Sequence, residues 1–274
     1  MPARYPERIV CLTEESTEIL YLLGEERRIA GISGYTVRPP RARREKPRVS
    51  AFLSARTDKI LELKPDLAIG FSDLQADIAR DLAKVGLNVL IFNQRSVQQI
   101  LDMILALASL VGVAKKGEAL VASLEQGLEE IRAAAGRFER RPKVYFEEWD
   151  EPMISAIRWV SELIEIAGGE DIFSERSHSQ AASGRIVTPD LVVSRRPDVM
   201  LGSWCGKKFR PERVAARPGW QDLPAVRENR LYEIKSADIL QPGPAALTDG
   251  VRRIHELLRD SGCRAARTQS SAGA

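Results

Sequence analysis

The sequence predicts an α/β protein: two Rossmann-like lobes with mainly parallel sheets, joined by one long helix, with a ligand cleft between the lobes. Three observations predict it. Short apolar runs alternate with amphipathic segments along 274 residues, the pattern of a parallel sheet with helices on its faces. From Ser96 to Phe138, apolar residues recur every three or four positions without Pro, pausing only at Gly112, which marks amphipathic helix. The sequence before that stretch also resembles the sequence after it.

The resemblance is specific in position. Thr57–Gly70 and Pro189–Gly202 align without a gap. They share a leading acid (Asp58, Asp190), an apolar pair, a basic-Pro-Asp turn (Lys64-Pro65-Asp66, Arg196-Pro197-Asp198), an apolar strand and a closing Gly. Upstream of each, Thr17–Gly24 pairs with Ser161–Gly168 in the same order. Helix–Pro-Asp–strand connections also recur by chance, but two matches in one order favour a structural repeat. The expected division is a first lobe over 1–95, a helical segment with the linking helix over 96–138, a second lobe over 139–262, and a flexible tail over 263–274.

The elements follow in order. Ile9–Leu12 is a strand, followed by a helix through Gly24 that Thr13 or Ser16 caps, with acids in its first turn. Ile29–Ser33 is the next strand and runs into Gly34-Tyr35-Thr36-Val37-Arg38-Pro39-Pro40. A short helix from about Asp58 precedes strand Leu67–Gly70, and a helix from Gln75 to Val85 precedes strand Asn88–Phe92. The pattern restarts with strand Lys143–Phe146 and a loop from Glu147 to Pro152. The helix from Trp159 to Ala167 ends at Gly168-Gly169, a left-handed cap. Val199–Gly202 and Arg230–Ile234 are the last strands, and a final helix covers about Ala246 to Leu258.

Bulk properties narrow the function. The net charge of +3 is close to balance, so there is no general case for nucleic-acid binding. Three cysteines (Cys11, Cys205, Cys263) without CxxC spacing argue against a disulfide framework or a structural zinc. No apolar run is long enough to span a membrane. The N-terminus enters its first strand without a leader, so the expected compartment is cytoplasmic as the sequence stands, or periplasmic if a leader was trimmed.

In open α/β sheets, ligands sit beyond the carboxyl ends of the strands. Those ends carry Tyr35, Phe52, Phe71, Trp149, Trp204 and Asp238. Exposed aromatics there suit stacking on a large flat ligand, and one or two are expected to fold back onto the core. His178 and His255 are far apart and lack a third partner, so they read as ordinary histidines and no metal site is expected. Cys205 fits either a nucleophile or soft axial ligand, or a small half-buried thiol. Glu147, Glu148, Asp150 and Glu151 fit either acid–base work or a solvated loop. The basic stretch from Arg38 to Arg48 fits either anionic groups on a ligand or a solvated loop. Gly202–Lys207 is one residue short of a phosphate loop and has no Ser or Thr after Lys207.

Taken together, Thr17-Glu18, Gly34-Tyr35 with Pro39-Pro40, Lys64-Pro65-Asp66, Gly168-Gly169-Glu170 and Pro242-Gly243-Pro244 resemble the solute-binding proteins of ABC importers. The likeness covers about residues 8–260. It is to the class whose lobes are joined by one rigid helix, which binds cobalamin, haem or siderophores, and most of all to its cobalamin-binding members. The resemblance implies a non-enzymatic binding protein that holds a corrinoid between two lobes and needs no cofactor. It implies Tyr35 as a corrin contact, Phe52 and Phe71 where cobalamin-binding relatives carry Trp, and Trp149 and Asp238 as cleft-lining positions of the second lobe. It places Asp58 and Asp190 where such proteins carry one acid per lobe, usually Glu, to dock on a permease dimer. Asp at a helix start is also a routine N-cap. A monomer is expected. The alternatives are a haem, siderophore or metal-chelate binder, a cytoplasmic corrinoid carrier or sensor, or an enzyme on the same scaffold using Cys205.

Overall fold

The computed structural model describes residues 5–261; Cys263 and the tail expected over 263–274 lie outside the described residues. The chain forms two compact units, Met1–Glu125 with Gln241–Ala245, and Gln126–Leu240 with Ala246–Ala274.

The first unit is built on five parallel strands: β1 (Ile9–Cys11), β2 (Ile29–Ser33), β3 (Arg48–Ser50), β4 (Leu67–Phe71) and β5 (Asn88–Phe92), in the order β3-β2-β1-β4-β5. The central strands are continuous apolar runs because both of their faces are covered, and Ile9, Val10, Cys11, Ala68 and Ile69 are fully buried. Helices α1 (Glu14–Leu22), α2 (Ala42–Glu45), α3 (Thr57–Glu62) and α4 (Ala76–Lys84) connect them. After β5 come α5 (Val97–Leu110) and α6 (Ala114–Ala135). Ser96 caps α5 by accepting the Gln99 N–H at 3.2 Å. The division between the units falls within α6.

The second unit contains β6 (Lys143–Asp150), β7 (Met153–Ser155), α7 (Arg158–Ile166), β8 (Glu170–Asp171), α8 (Ser174–Ser177), α9 (Pro189–Arg195), β9 (Val199–Gly202), α10 (Pro211–Ala215), α11 (Pro224–Arg227), β10 (Leu231–Glu233) and α12 (Ser236–Ile239). A π-helical turn over Ala246–Gly250 leads into α13 (Val251–Asp260). Strand β6 pairs in parallel with β9 on one side and with β8 at its start, and its second half pairs antiparallel with β7.

The internal repeat is structural. Each unit has a central strand flanked by the next parallel strand on one side and by two further parallel strands on the other: β2-β1-β4-β5 in the first, β8-β6-β9-β10 in the second. The aligned segments match in backbone conformation as well. Gly24 and Gly168 close α1 and α7 with φ of +72° and +98°. Lys64 and Arg196 close α3 and α9 with φ of +47° and +48°, where non-Gly residues are uncommon. The basic-Pro-Asp turn is therefore a left-handed helix stop followed by a Pro that cannot continue the helix.

Several local expectations are corrected. Strand β6 runs through Asp150 because β7 pairs with its second half, so the expected loop shrinks to a turn at Glu151-Pro152. Strand β4 runs one residue further, to Phe71, which pairs with Phe92. Thr13 stands at the N-cap of α1, but its hydroxyl donates to the Glu15 carboxylate at 2.6 Å and makes no cap bond. Asp58 and Asp190 are not N-caps: the caps are Arg56 and Thr188, and each acid is the second residue of its helix.

The paired left-handed residues carry a prediction. Replacement of Lys64 or Arg196 by Val should lower stability by about 1–2 kcal/mol each, because a β-branched residue resists φ > 0. Replacement by Gly should be neutral or mildly stabilising. Urea-unfolding midpoints of the four variants check this; equal effects of Val and Gly would contradict the assigned conformation.

Candidate functional site

In the first unit the loops after β2, β3 and β4 all leave the carboxyl edge of one parallel sheet. Tyr35 sits on a tight turn after β2: Ser33 accepts the Tyr35 N–H through its hydroxyl at 3.3 Å and the Thr36 N–H through its carbonyl at 3.2 Å. The turn continues into Val37 and Arg38, whose N–H groups both donate to Glu14 Oε1, at 3.0 and 2.9 Å. Glu14, Glu15 and Glu18 are all buried on α1. Glu18 pairs with the Arg38 guanidinium at 3.1 Å and accepts the Ala245 N–H at 3.1 Å. Gly243 packs directly on Glu15, where a Cβ would lie 2.6 Å from the Glu15 Cβ. The Pro242-Gly243-Pro244 motif therefore needs its Gly for close approach.

A second buried side chain ties the other two loops. Gln75, fully buried, accepts the Phe71 N–H at 3.0 Å through Oε1 and donates through Nε2 to the Phe52 carbonyl at 2.9 Å. It thereby joins the end of β4 to the loop after β3. Above this scaffold Tyr35 is 59% exposed, Leu53 67% and Leu74 58%, with Phe52 half-buried. Phe71, expected on the loop surface, folds back as the last residue of β4 and is 6% exposed, with the Arg95 guanidinium 4.9 Å from its ring centroid.

In the second unit, Trp204 also folds back: it is 5% exposed and packs edge-to-face on Phe209 at 5.0 Å between centroids. Its indole N–H donates to Glu147 Oε1 at 3.1 Å. Glu147 is fully buried and bidentate to Arg217 at 2.6 and 2.9 Å, and it also accepts the Tyr145 hydroxyl at 3.0 Å. The expectation that these acids lie on a solvated loop is overturned for Glu147, Glu148 and Asp150, which lie on β6; Glu151 is exposed at the turn that follows. Glu147 is enclosed by four donors, Glu148 pairs with buried Arg185, and Asp150 pairs with Lys207. Trp149 is half-buried on β6, its N–H donating to the Glu151 carbonyl at 2.9 Å and Lys207 lying 4.4 Å from its ring centroid. Asp238 is half-buried on α12.

Cys205 is exposed, and its thiol is pushed up from its ordinary value by local desolvation and the negative field of Glu148. That is the opposite of an activated nucleophile. His178 is exposed, while His255 stacks on Phe138 at 5.2 Å and contacts the Ala167 carbonyl through Nδ1 at 3.0 Å. Both are ordinary histidines.

The structure thus brings Tyr35, Phe52 and Phe71 onto one edge and gathers Trp149 and Trp204 around Lys207. Gln75, the α1 acids and the Glu147–Arg217 pair were not singled out from sequence as structural supports. The sequence signals were the acid-rich opening of α1, which reads as helix-dipole compensation, and the Thr17-Glu18 motif.

The comparisons with known proteins agree with this architecture. Residues 9–237 match the periplasmic binding protein family, and the chain belongs to that family. Its members are solute-binding proteins rather than enzymes, so the Cys205-based alternative is set aside. The chain is 28% identical to the vitamin B12-binding protein of Vibrio cholerae over 92% of this chain and 89% of that one. It is 24% identical to the uncharacterised ABC transporter substrate-binding lipoprotein YvrC of Bacillus subtilis, over 92% and 79%. Among solved structures, the periplasmic haem-binding protein RhuT of Roseiflexus sp. RS-1 superposes with a TM-score of 0.76 at 25% identity, covering 92% of this chain and 99% of that chain.

The buried acids of α1 give a pH prediction. Burial pushes the Glu14 and Glu15 carboxyls up from 4.5 to about 7, for Glu14 against two backbone N–H bonds that pull it down. A raised carboxyl favours its neutral form in the fold. Its stabilising contribution is complete below about pH 4.5 and is lost as pH rises towards about 7. Glu15→Gln should therefore flatten the fall in stability across that window, a fall on the order of 1–3 kcal/mol. Urea titrations at several pH values check this; parallel curves for variant and parent would contradict it.

Proposed function

We propose that the chain captures a large, flat tetrapyrrole-type ring, a corrinoid first of all, and presents it to an ABC-type permease. The observation that carries this reading is the exposed apolar set Tyr35, Leu53 and Leu74 on the carboxyl edge of the first sheet. Large exposed apolar side chains on three loops held by buried hydrogen bonds form a surface without structural purpose, and such patches mark ligand sites. The B12-binding relative supports a corrinoid. In this reading Tyr35 and Phe52 contact the ring, Phe71 and Trp204 support the loops from beneath, and Trp149 and Asp238 are the second unit's contributions.

Haem is the second reading. The RhuT likeness favours it, and so does Tyr35, whose exposed phenol is the kind of oxygen ligand that holds haem iron in some proteins. A siderophore or metal chelate is less well served, because the apolar set offers ring stacking. The names of the relatives support a periplasmic or membrane-anchored working place. Asp58 and Asp190 are exposed at equivalent positions of the repeat, which suits one acidic contact per unit with a symmetric permease dimer.

Titration with cyanocobalamin and with haemin, followed by tryptophan quenching and calorimetric heat, tests the reading. One ring should bind one-to-one, and Tyr35→Ala should weaken it at least tenfold. Asp58→Arg with Asp190→Arg should leave ring affinity unchanged while abolishing uptake in a reconstituted transporter. Failure of both rings to bind would overturn the proposal.

A further inference from the structure

The basic stretch is not one feature but two. Arg38 pairs with Glu18, and Arg41 pairs with Glu26 at 3.1 Å while lying 4.7 Å from the Tyr21 ring centroid. Glu45, the single acid of the stretch, accepts the Tyr21 hydroxyl at 2.6 Å. These charges are spoken for. Arg43, Lys46 and Arg48 are not: together with Arg56 they line an open cavity of about 730 Å³ in the first unit.

No carboxylate lines this cavity, and none of the four cations has an ion-pair partner among the described residues. The Arg56 guanidinium spends one N–H on the Arg48 carbonyl at 2.9 Å, which anchors it beside Arg48. Four like charges around one concavity repel one another, and an anion relieves that repulsion. The Ser50 hydroxyl, also in the lining, is buried without a hydrogen-bond partner. A buried unpaired hydroxyl is costly and marks a place where an acceptor is missing.

The cavity adjoins the apolar set. Its lining includes Gly34, the neighbour of Tyr35, and Ala51 and Ser54, which bracket Phe52 and Leu53. The cavity wall and the apolar side chains Tyr35 and Leu53 thus belong to the same two loops. We propose that this basic cavity is an anion subsite that receives a negatively charged arm, carboxylate or phosphate, of the ring ligand. The inference rests on the ring reading above and narrows it: the preferred solute is a ring with acidic substituents.

The test compares rings with and without such an arm. Haemin is set against its dimethyl ester, and cyanocobalamin against dicyanocobinamide, which lacks the phosphate-bearing nucleotide. Inorganic pyrophosphate serves as a free anion. Each is titrated into the wild type, into R43Q/K46Q/R48Q, and into R43E/R48E, with melting curves to confirm folding.

The acidic member of the bound pair should bind at least tenfold more tightly to wild type than its neutral counterpart. That advantage should shrink at high salt and vanish in both variants, while the neutral member binds all three proteins alike. If the rings bind but the acidic arm confers no advantage, or the variants retain it, this inference falls and the ring reading stands. If pyrophosphate binds the cavity while the acidic arm gives no advantage, the site belongs to a free anion and the inference falls equally. If no ring binds the wild type, both fall together.

Discussion

The carboxyl edge of the first unit's sheet depends on buried polar side chains that bond to the backbone there. Glu14 holds two consecutive N–H groups of the Tyr35 loop, and Gln75 holds the Phe71 N–H at the end of β4 and the Phe52 carbonyl of the loop after β3. Loops ordinarily satisfy their backbone with water, so a loop whose amides point inward to a buried acceptor loses that freedom. The apolar side chains above are then presented without a core to enter. Preorganisation of this kind spares a binding protein the entropy of ordering its site when the ligand arrives.

The second unit uses the same physics differently. Trp204 and Tyr145 do not face outward but direct their polar atoms onto Glu147, which Arg217 neutralises. A buried carboxylate is tolerable only when its lone pairs are filled, and here four donors fill them. The loop after β9 is thereby pinned to β6, and Lys207 is left against the Trp149 and Trp204 rings. Two units of one topology have therefore diverged in what their strand-end loops offer: exposed apolar side chains on one, a cation packed on indole rings on the other.

Much of the architecture was legible in the sequence because it rests on local signals. The left-handed stops at Lys64 and Arg196, the Gly caps at Gly24 and Gly168 and the apolar strands are each written in a few adjacent residues. The site was only partly legible. Tyr35, a large aromatic after a Gly at a strand end, was expected to be exposed there, and it is. Phe71 and Trp204 occupy the same kind of position, but strand pairing in one case and the Glu147 network in the other draw them inward. Gln75 and Arg217 gave no signal at all. Their roles come from contacts made across long sequence separations, 23 residues for Gln75 to Phe52 and 70 for Arg217 to Glu147. The basic stretch looked uniform in sequence, and only the placement of Glu18 and Glu26 divides it into paired and unpaired cations.

The central claim is that the Tyr35 loop and the end of β4 are held in place before any ligand is present. Hydrogen–deuterium exchange of the ligand-free protein tests it most directly, read at the amides of Val37, Arg38 and Phe71. The account predicts that all three are protected well beyond their exposed neighbours and that added ring changes them little. Exchange of these amides at open-loop rates, slowed only when ring is added, would contradict it and show a site that forms on binding.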